Sequence, residues 1–260
     1  MKRKIGLALG AGSTKGFAHI GVLQVLSENG IVPDMVSGCS MGAIIGSFYA
    51  VGCDLYMLER YVNTLNLRKY IDLRNPFSGG MIRGESLQEI LKVFTHRKTF
   101  AQTNVPFCCV AVDAGSGRLD VLESGLLHEA VRASMSIPAI FEPYVLNGKT
   151  YIDGGVLDRV PTKALRDRGM DAVIGIDVGY HGGETDAAGM NAYQLMNHSI
   201  RIMQWQMAKL HREDADLTLV PEVLYVTGYF QMDRIGDCIA EGRRVATEAL
   251  PEIRRLIDGE

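Results

Sequence analysis

Two short apolar segments near the beginning of the chain each run into a glycine-rich turn and then into a helical pattern. The first covers residues 5–9 and turns over residues 10–16, and the second covers residues 32–36 and turns over residues 38–42. A strand, a tight turn and a helix in this order form the unit from which parallel sheets are built. Because later segments repeat this alternation, the sequence predicts an α/β fold, a three-layer α/β/α sandwich with a mostly parallel central sheet.

Two later segments predict antiparallel additions to this sheet. Residues 105–113 and 118–123 flank a turn that contains two glycines, as in a β-hairpin. Residues 144–152 contain Asn147-Gly148, a dipeptide typical of two-residue hairpin turns. We therefore expect two hairpins beside the parallel strands.

The composition is that of an ordinary globular protein and indicates no nucleic-acid partner. Of the 260 residues, 47% are apolar and 22% are charged, and 27 basic against 30 acidic residues leave a net charge of −3. Proteins that bind nucleic acid usually carry a basic domain, so we expect no such partner. The length suffices for one large core, and no linker or repeat divides the chain, so we predict a single domain over residues 1–260.

The cysteines and the apolar runs predict a cytoplasmic protein. The five cysteines include no Cys-x-x-Cys pair and no Cys/His spacing typical of zinc, so we expect reduced, buried thiols. No apolar run reaches the roughly 18 residues of a membrane-spanning helix. The basic residues 2–4 resemble the start of a signal peptide, but the apolar segment after them is short and broken by glycine.

Ser40 is the candidate nucleophile. It lies at the centre of Gly38-x-Ser40-x-Gly42, between a predicted strand and a helix that is apolar on nearly every side. In a sharp strand-to-helix turn the central serine takes a strained backbone conformation, and the flanking glycines let neighbouring backbone pass close by. The helix that follows points its positive N-terminal end at the hydroxyl and favours an oxyanion. The structural alternative is a tight turn with an incidental serine.

The first turn, residues 10–16, fits neither of two common phosphate-binding loops. A P-loop requires Gly-Lys followed by Ser or Thr, whereas Lys15 is followed here by glycine and phenylalanine. A dinucleotide-binding fingerprint that starts at Gly10 would need glycine where Lys15 stands, and Asp34 precedes its strand instead of ending it. What remains is a loop that presents backbone N–H groups near a helix start, which suits an oxyanion.

A third turn places a carboxylate at the end of a strand. Asp153 is followed by Gly154 and Gly155, so its loop can approach another loop closely. A histidine base is less well supported, because His19 falls within the first helix. The histidines after Asp153 stand in a glycine loop or in a helix without a catalytic turn, and they are His181, His198 and His211. We therefore favour a Ser–Asp dyad over a Ser-His-Asp triad.

Taken together, these segments resemble the bacterial patatin-like phospholipase family. The matching motifs are the loop of residues 10–16 with the helix start after it, the turn Gly38-x-Ser40-x-Gly42, the segment 136–143, the turn Asp153-Gly154-Gly155, and Ala215-Asp216 and Pro221 around the last strand. They follow the order of the family and cover most of the chain. The combination is therefore far more specific than any single motif.

The resemblance implies a patatin-like fold and hydrolysis of lipid acyl esters by a Ser40–Asp153 dyad, with neither metal nor cofactor. It also implies an oxyanion hole in the first loop and glycines around both dyad residues. These positions are Gly10, Ala11, Gly12, Ser13 and Lys15 in the oxyanion hole, Gly38 and Gly42 in the nucleophile elbow, and Gly154 and Gly155 in the acid loop. The expected partner is a lipid or fatty-acyl ester substrate, and peripheral membrane contact and homo-oligomer formation are left open.

The first loop departs from the family pattern at two positions. Ala11 and Ser13 stand where the family usually has glycine, while Lys15 and the other glycines remain. A Cβ can forbid the positive φ that glycine allows, and the loss of one oxyanion donor costs roughly 2.7–4 kcal/mol. Two alternatives to a hydrolase are an acyltransferase or thioesterase with the same acyl-enzyme, and a catalytically weak regulatory scaffold, which the altered loop favours. Lys15 is expected to order the loop or to contact a lipid phosphate.

Two other segments have both a structural and a functional interpretation. An apolar stripe with helical spacing favours core packing over a lid or a dimer face, and its members are Met196, Ile200, Met203, Met207 and Leu210. Residues 66–84 form a long predicted loop that favours a solvated segment over one that contacts anionic headgroups. Its basic residues are Arg68, Lys69, Arg74 and Arg83.

Overall fold

A computed structural model describes residues 3–64, 72, 80–183, 187–210, 214–223 and 231–259 of the chain. Arg68, Lys69 and Arg74 of the predicted basic loop lie outside the described residues. Arg83 lies within them, and its guanidinium is 3.6 Å from the Glu85 carboxylate. In the described part of the chain, no helix combines the length and the apolar character needed to cross a membrane.

The described residues form ten β-strands and eight α-helices. The strands are β1 (Ile5–Leu9), β2 (Met35–Gly38), β3 (Gly80–Ile82), β4 (Phe107–Asp113), β5 (Arg118–Leu122), β6 (Ala139–Phe141), β7 (Tyr144–Leu146), β8 (Lys149–Asp153), β9 (Ala172–Ile176) and β10 (Leu217–Leu219). The helices are α1 (Ala18–Glu28), α2 (Met41–Ala50), α3 (Leu55–Thr64), α4 (Glu85–Phe94), α5 (Leu127–Ser134), α6 (Thr162–Arg166), α7 (Ala192–Leu210) and α8 (Ile235–Asp258).

The central sheet is mixed, with its parallel strands on one side and its antiparallel strands on the other. Its strand order is β10-β9-β1-β2-β4-β8-β7, and β5 also pairs with β4. The four pairs from β10 to β4 are parallel, whereas β4 pairs antiparallel with β5 and β8, and β8 pairs antiparallel with β7. Both predicted hairpins are therefore present, and the predicted α/β fold class is confirmed.

Strand β4 explains how two distant parts of the chain meet. One edge of β4 pairs first with β2, where Gly38 faces Cys109, and then with β8, where Asp153 faces Ala111. The other edge of β4 is occupied by β5, which pairs with both Cys109 and Ala111. Because β2 is parallel to β4 and β8 is antiparallel to it, β2 and β8 run toward each other along the shared edge. The last residues of β2 and β8 therefore lie close together.

Helices cover both faces of the sheet, because successive side chains of a strand point to opposite faces. Leu7 and Leu9 of β1 pack in the main core, which includes buried side chains of α1, α2 and α8. Ala8 points the other way, into a smaller core with Ala164 and Leu165 of α6. The result is the predicted layer order of helix, sheet and helix.

The structure corrects the sequence prediction in two respects. β2 begins at Met35 rather than at Val32, whose side chain is 61% exposed. A separate parallel pair of β3 and β6 was not predicted, because strands of three residues are too short to show a periodic pattern.

The apolar stripe of α7 does not form core packing. Met196, Met203 and Leu210 are exposed, and Ile200 and Met207 are half-buried. The prediction fails because the buried side of α7 carries polar residues, of which Asn197 is the most buried.

Candidate active site

Ser40 lies between strand β2 and helix α2, as the spacing of Gly38 and Gly42 predicts. It has φ 55° and ψ −119°, a strained conformation for a residue with a side chain, and it is only 4% exposed. Its backbone N–H donates a hydrogen bond to Ser134 Oγ at 3.0 Å. The end of α5 therefore helps to hold the turn that carries Ser40.

Gly42 shows why this turn requires glycine. A Cβ on this residue would lie 2.0 Å from the carbonyl oxygen of Leu9 and 2.8 Å from that of Gly10. Any side chain would push α2 away from the end of β1. The first turn of α2 therefore rests directly on the first loop, and this packing places Ser40 beside residues 10–16.

Asp153 is the last residue of β8, and its carboxyl group is buried. Its backbone N–H donates to the carbonyl oxygen of Ser136 at 2.9 Å. Its Oδ1 accepts a hydrogen bond from the backbone N–H of Gly155 at 2.8 Å and a weak one from the Cys39 thiol at 3.8 Å. Its Oδ2 is buried and forms no hydrogen bond of standard geometry among the described residues.

Burial raises the pKa of Asp153 to about 6. Hydrogen-bond donors oppose this rise in pKa, and the largest opposing effect is that of the Ser40 hydroxyl, followed by those of the Gly155 N–H and the Cys39 thiol. The Ser40 hydroxyl is thus a neighbour of the carboxyl, although the contact is looser than a standard hydrogen bond. Contacts of this kind often tighten when a substrate binds.

Backbone hydrogen bonds hold the first loop in place. The N–H of Gly10 donates to the carbonyl oxygen of Ile176 at 3.0 Å, and the N–H of Ala11 donates to that of Arg159 at 2.7 Å. The N–H of Lys15 donates to the carbonyl oxygen of Gly12 at 3.1 Å. Three of the five predicted oxyanion-hole positions therefore use their amides to hold the first loop in place.

Ser13 keeps a backbone conformation that usually requires glycine. Its φ is 52°, in the left-handed region, whereas Ala11 has no positive φ. Ser13 and Ser40 both line the two cavities that meet at this turn. The expectation that a Cβ at position 13 would forbid the positive φ is therefore wrong, because the chain accepts the strain.

Two buried basic side chains flank the loop. His19 donates from Nε2 to the carbonyl oxygen of Gly10 at 2.8 Å, and burial lowers its pKa to about 4. Burial, reinforced by Arg201 and Arg159, lowers the pKa of Lys15 to about 8. Lys15 is 8% exposed and lines the same cavity as Ser40 and Asp153. His19 is therefore neutral at pH 7 and anchors the loop, as its place in the first helix predicts.

Ser40 lies where an apolar and a polar cavity meet. The apolar cavity is open to solvent at its mouth and is lined mainly by side chains of α2, α3 and α4. The polar cavity is also open and is lined by Asp153, Lys15 and the inner side of α7. A molecule with an apolar tail and a polar head fits this division, with the bond between them at Ser40.

Several residues that support the site have no motif that identifies them in the sequence. Arg132 is buried, and its guanidinium donates to Ser136 Oγ at 2.7 Å and to the carbonyl oxygens of Arg83 and Glu142. Ser136 in turn accepts the backbone N–H of Asp153. Arg132 and Ser134 lie in α5 without a motif around them, so only the three-dimensional arrangement identifies them.

The histidines considered as alternative bases lie elsewhere. No histidine in the described part of the chain lines either cavity at Ser40. His181 Nε2 is 3.5 Å from a carboxylate oxygen of Asp177, and the His198 ring packs edge-on against Tyr180. His211 falls outside the described residues. Those same residues contain no group of three or more His, Cys, Asp or Glu arranged to hold a metal ion.

Comparison with known sequences decides the family. A family model described as patatin-like phospholipase matches residues 7–166. The chain belongs to the patatin-like phospholipase family. The matched region of this patatin-like chain contains Ser40, Asp153 and the whole first loop.

Relatives of this patatin-like chain include bacterial and fungal proteins. An uncharacterized NTE family protein of Mycobacterium tuberculosis is 32% identical over 187 residues, which cover 71% of this chain and 51% of that protein. Lysophospholipase NTE1 of Cryptococcus neoformans is 35% identical over 187 residues, which cover 68% of this chain and 11% of that protein. The chain thus matches about half the length of its mycobacterial relatives and a small part of the fungal ones.

Two solved structures have the same fold. VipD from Legionella pneumophila superposes with a TM-score of 0.66 at 16% identity, over 96% of this chain and 67% of that one. The type III effector protein ExoU superposes with a TM-score of 0.50 at 14% identity, over 97% of this chain and 53% of that one. At these identities the likeness concerns the fold alone, and it confirms the patatin-like architecture.

Proposed function

We propose that this chain hydrolyses lipid acyl esters, with Ser40 as the nucleophile and Asp153 as the base. One observation carries the proposal: the buried carboxyl of Asp153, whose Oδ2 has no standard hydrogen bond, neighbours the hydroxyl of a strained serine. A buried polar atom without a hydrogen bond costs folding free energy, and such atoms in native structures often belong to catalytic groups. The membership of the patatin-like phospholipase family and the lysophospholipase name of a relative support a lipid ester as the substrate.

The proposed reaction has two half-reactions. In the first, Ser40 Oγ bonds to the ester carbonyl carbon while its proton passes to Asp153 Oδ2, and the alcohol then leaves with that proton. In the second, water attacks the acyl-enzyme and gives its proton to Asp153, after which Ser40 Oγ recovers a proton and the fatty acid is released. Both tetrahedral intermediates carry a negative oxygen, which the amides of Gly12 and Ser13 stabilise.

The pKa of Asp153 suits this role. A carboxyl with a pKa near 6 is mostly ionised at pH 7, and it is a stronger base than an exposed aspartate with a pKa of about 3.9. The positive end of α2 points at the same place and favours the oxyanion over the neutral state. In this reaction the acyl chain of the substrate enters the apolar cavity, and its polar group enters the polar cavity, which contains Lys15.

Substitution of the two residues tests the proposal. We expect Ser40→Ala and Asp153→Asn each to abolish release of p-nitrophenol from a p-nitrophenyl ester, and Ser40→Ala to abolish labelling by a fluorescent organophosphonate. Ser47→Ala is the matched control, because Ser47 is also buried in α2 but its hydroxyl bonds only to the carbonyl oxygen of Ile44. Full activity in either dyad variant, with wild-type thermal stability, would rule out the assignment.

The same experiment separates the alternatives. Labelling of the wild type that depends on Ser40 excludes a scaffold without catalysis, and the left-handed φ of Ser13 supports an active loop. Analysis of products with added alcohol or coenzyme A distinguishes a transferase from a hydrolase. We further propose that residues 1–260 act as one domain, that no cofactor takes part, and that the protein works in the cytoplasm, where its five free thiols stay reduced.

A further inference from the structure

Helix α7 has its polar and apolar sides in the reverse of the usual order. Asn197, Arg201 and Gln204 lie on its inner side and line the polar cavity together with Ser40 and Asp153. Large apolar side chains lie on its outer side, and these are Leu195 (47% exposed), Met196 (44%), Ile202 (38%), Met203 (57%) and Leu210 (79%). We call these five residues the outer face of α7.

The exposure of apolar side chains on this outer face is unusual for a surface helix. A surface helix normally buries its apolar stripe and exposes its polar residues. Five large apolar side chains are exposed on one face of the helix, which also carries Ser199 and Gln206, and such a concentration of exposed apolar side chains usually marks an interaction surface. Methionine is frequent on surfaces that contact varied apolar partners, because its side chain is flexible and polarizable.

The charged residues of α7 and of the residues just before it indicate a negatively charged partner. Residues 187–210 contain Arg201 and Lys209 but no aspartate or glutamate, although the whole chain has 30 acidic residues. Lys209 lies at the end of α7, with its Nζ 3.7 Å from the centre of the Trp205 ring. An apolar face bordered by cationic and aromatic side chains is the pattern of helices that lie in the plane of a membrane interface.

We propose that the outer face of α7 binds an anionic lipid surface and so brings the site of Ser40 close to that surface. The proposal deepens the proposed function, on which it rests, because a lipid ester substrate is supplied from such a surface. The charge of α7 favours a lipid surface over a second copy of the chain, because a two-fold contact through this face would bring like-charged helices together without an acidic partner. The inner side of the same helix forms a wall of the cavity that contains Ser40, so lipid bound to the outer face lies about one helix diameter, roughly 10–12 Å, from that cavity.

Vesicle flotation tests the proposal in a Ser40→Ala background, so that lipid hydrolysis plays no part. The probe is a vesicle of equal parts phosphatidylglycerol and phosphatidylcholine, and the partition coefficient is measured at low and high salt. We expect Leu195→Gln/Met196→Gln/Met203→Gln to lower this coefficient at least roughly tenfold, because three side chains lose their apolar contact with the lipid. Higher salt should weaken the binding of the parent protein.

Met57→Gln is the matched control for these substitutions. Met57 is 61% exposed and lies on α3, outside the outer face of α7. We expect Met57→Gln to float like the parent protein. In the Ser40-containing protein, both the triple variant and Met57→Gln should hydrolyse a soluble p-nitrophenyl ester as the wild type does and keep its melting temperature.

Three results would overturn the proposal. The first is a parent protein that does not float, and the second is a triple variant that floats as well as the parent. The third is a stable dimer of the parent in sedimentation equilibrium that is absent in the triple variant, while flotation is unchanged. The last result would assign the outer face to a second copy of the chain. If the Ser40-containing protein floats but has no esterase activity, the lipid-binding surface is supported and the proposed function is rejected. If it has esterase activity but does not float, the proposed function is supported and the lipid-binding surface is rejected.

Discussion

The thiol of Cys39 lies 3.8 Å from Oδ1 of Asp153, inside the protein. Because Cys39 directly precedes Ser40, this contact joins the turn that carries the serine to the end of the strand that carries the aspartate. The N–H of Gly155 holds the same oxygen at 2.8 Å. With Oδ1 held from two sides, Oδ2 is the oxygen that accepts the Ser40 proton in the proposed reaction.

The first prediction concerns the pH dependence of the reaction. Since burial raises the pKa of Asp153 to about 6 and the base must be ionised, kcat/KM for a soluble ester should rise with pH through about 6 and then level off. A pH–rate profile between about pH 4.5 and 9, measured with a p-nitrophenyl ester, checks this expectation. A profile with its midpoint near 4, the value of an exposed aspartate, would contradict it.

The second prediction is that Asp153→Asn is more stable than the wild type above neutral pH. The pKa of Asp153 is about 6 in the folded chain and about 3.9 in the unfolded chain, so the unfolded chain releases its proton first as the pH rises. Folding stability is therefore lost between about pH 4 and 6, and the cost persists above that range. It amounts to at most roughly 3 kcal/mol.

Thermal unfolding of both proteins at two pH values measures this cost. At pH 8, Asp153→Asn should melt several degrees above the wild type, because a chain of this size gains about 2–4 °C per kcal/mol. Near pH 4 the two melting temperatures should nearly coincide, since the folded wild type is then protonated. A variant that is both inactive and less stable at pH 8 would show instead that the carboxylate is structural.

The meeting of Ser40 and Asp153 is the part of the site that the sequence predicts. Each residue stands in a short motif at the end of a strand, and the family order of the motifs ties them together. The geometric cause is not visible in the sequence: it is the division of one edge of β4 between β2 and β8. The pairs Gly38–Cys109 and Ala111–Asp153 join residues 71 and 42 positions apart, and such non-local pairing leaves no local pattern.

The supporting residues and the orientation of α7 could not be predicted for different reasons. Ser134 and Arg132 act through single hydrogen bonds to Ser40 and Ser136, and a lone polar residue in a helix has many other uses. The apolar stripe of α7 predicts core packing, because helical periodicity identifies an apolar face but does not show what covers that face. Where the apolar face is exposed, as at Met203, the prediction of core packing is wrong, and the exposed apolar face indicates a binding partner.

The third prediction concerns the strain at Ser13. A residue with a side chain pays roughly 1–2 kcal/mol in the left-handed region, which glycine avoids. Ser13→Gly should therefore raise the free energy of unfolding by up to about 1 kcal/mol, once the greater freedom of glycine in the unfolded chain is subtracted. Ester hydrolysis should be equal or faster, because the amides at Gly12 and Ser13 keep their positions.

Ala11→Gly is the control for this change. Ala11 also replaces a family glycine, but its φ is not positive, so glycine brings no relief there. Chemical denaturation should show Ala11→Gly to be less stable than the wild type by roughly 0.5–1 kcal/mol. If both variants lose stability equally, the conformation at Ser13 is not the source of strain.

The fourth prediction is that Phe94 limits the length of the acyl chain. Phe94 lines the apolar cavity and packs against Phe48 and Tyr61, with ring centres 4.9 Å apart in both pairs. Phe48 lies two turns along α2 from Ser40, or about 12 Å, so this aromatic cluster stands well away from the ester bond. Phe94→Ala should lengthen the cavity and move the preference for p-nitrophenyl esters toward longer chains. Each additional methylene buried is worth about 0.8 kcal/mol, or roughly fourfold in kcat/KM.

The neighbouring residue provides the control for Phe94→Ala. Val93 lies on the same helix but is 67% exposed and does not line the cavity, so Val93→Ala should leave the chain-length profile unchanged. Loss of a packed ring also destabilises the protein by about 3–5 kcal/mol, so the comparison uses ratios of kcat/KM between esters within each variant. A shift toward longer chains in Phe94→Ala alone assigns the acyl chain to this cavity. An unchanged ratio, in a variant that still hydrolyses the shortest ester, would place the chain elsewhere.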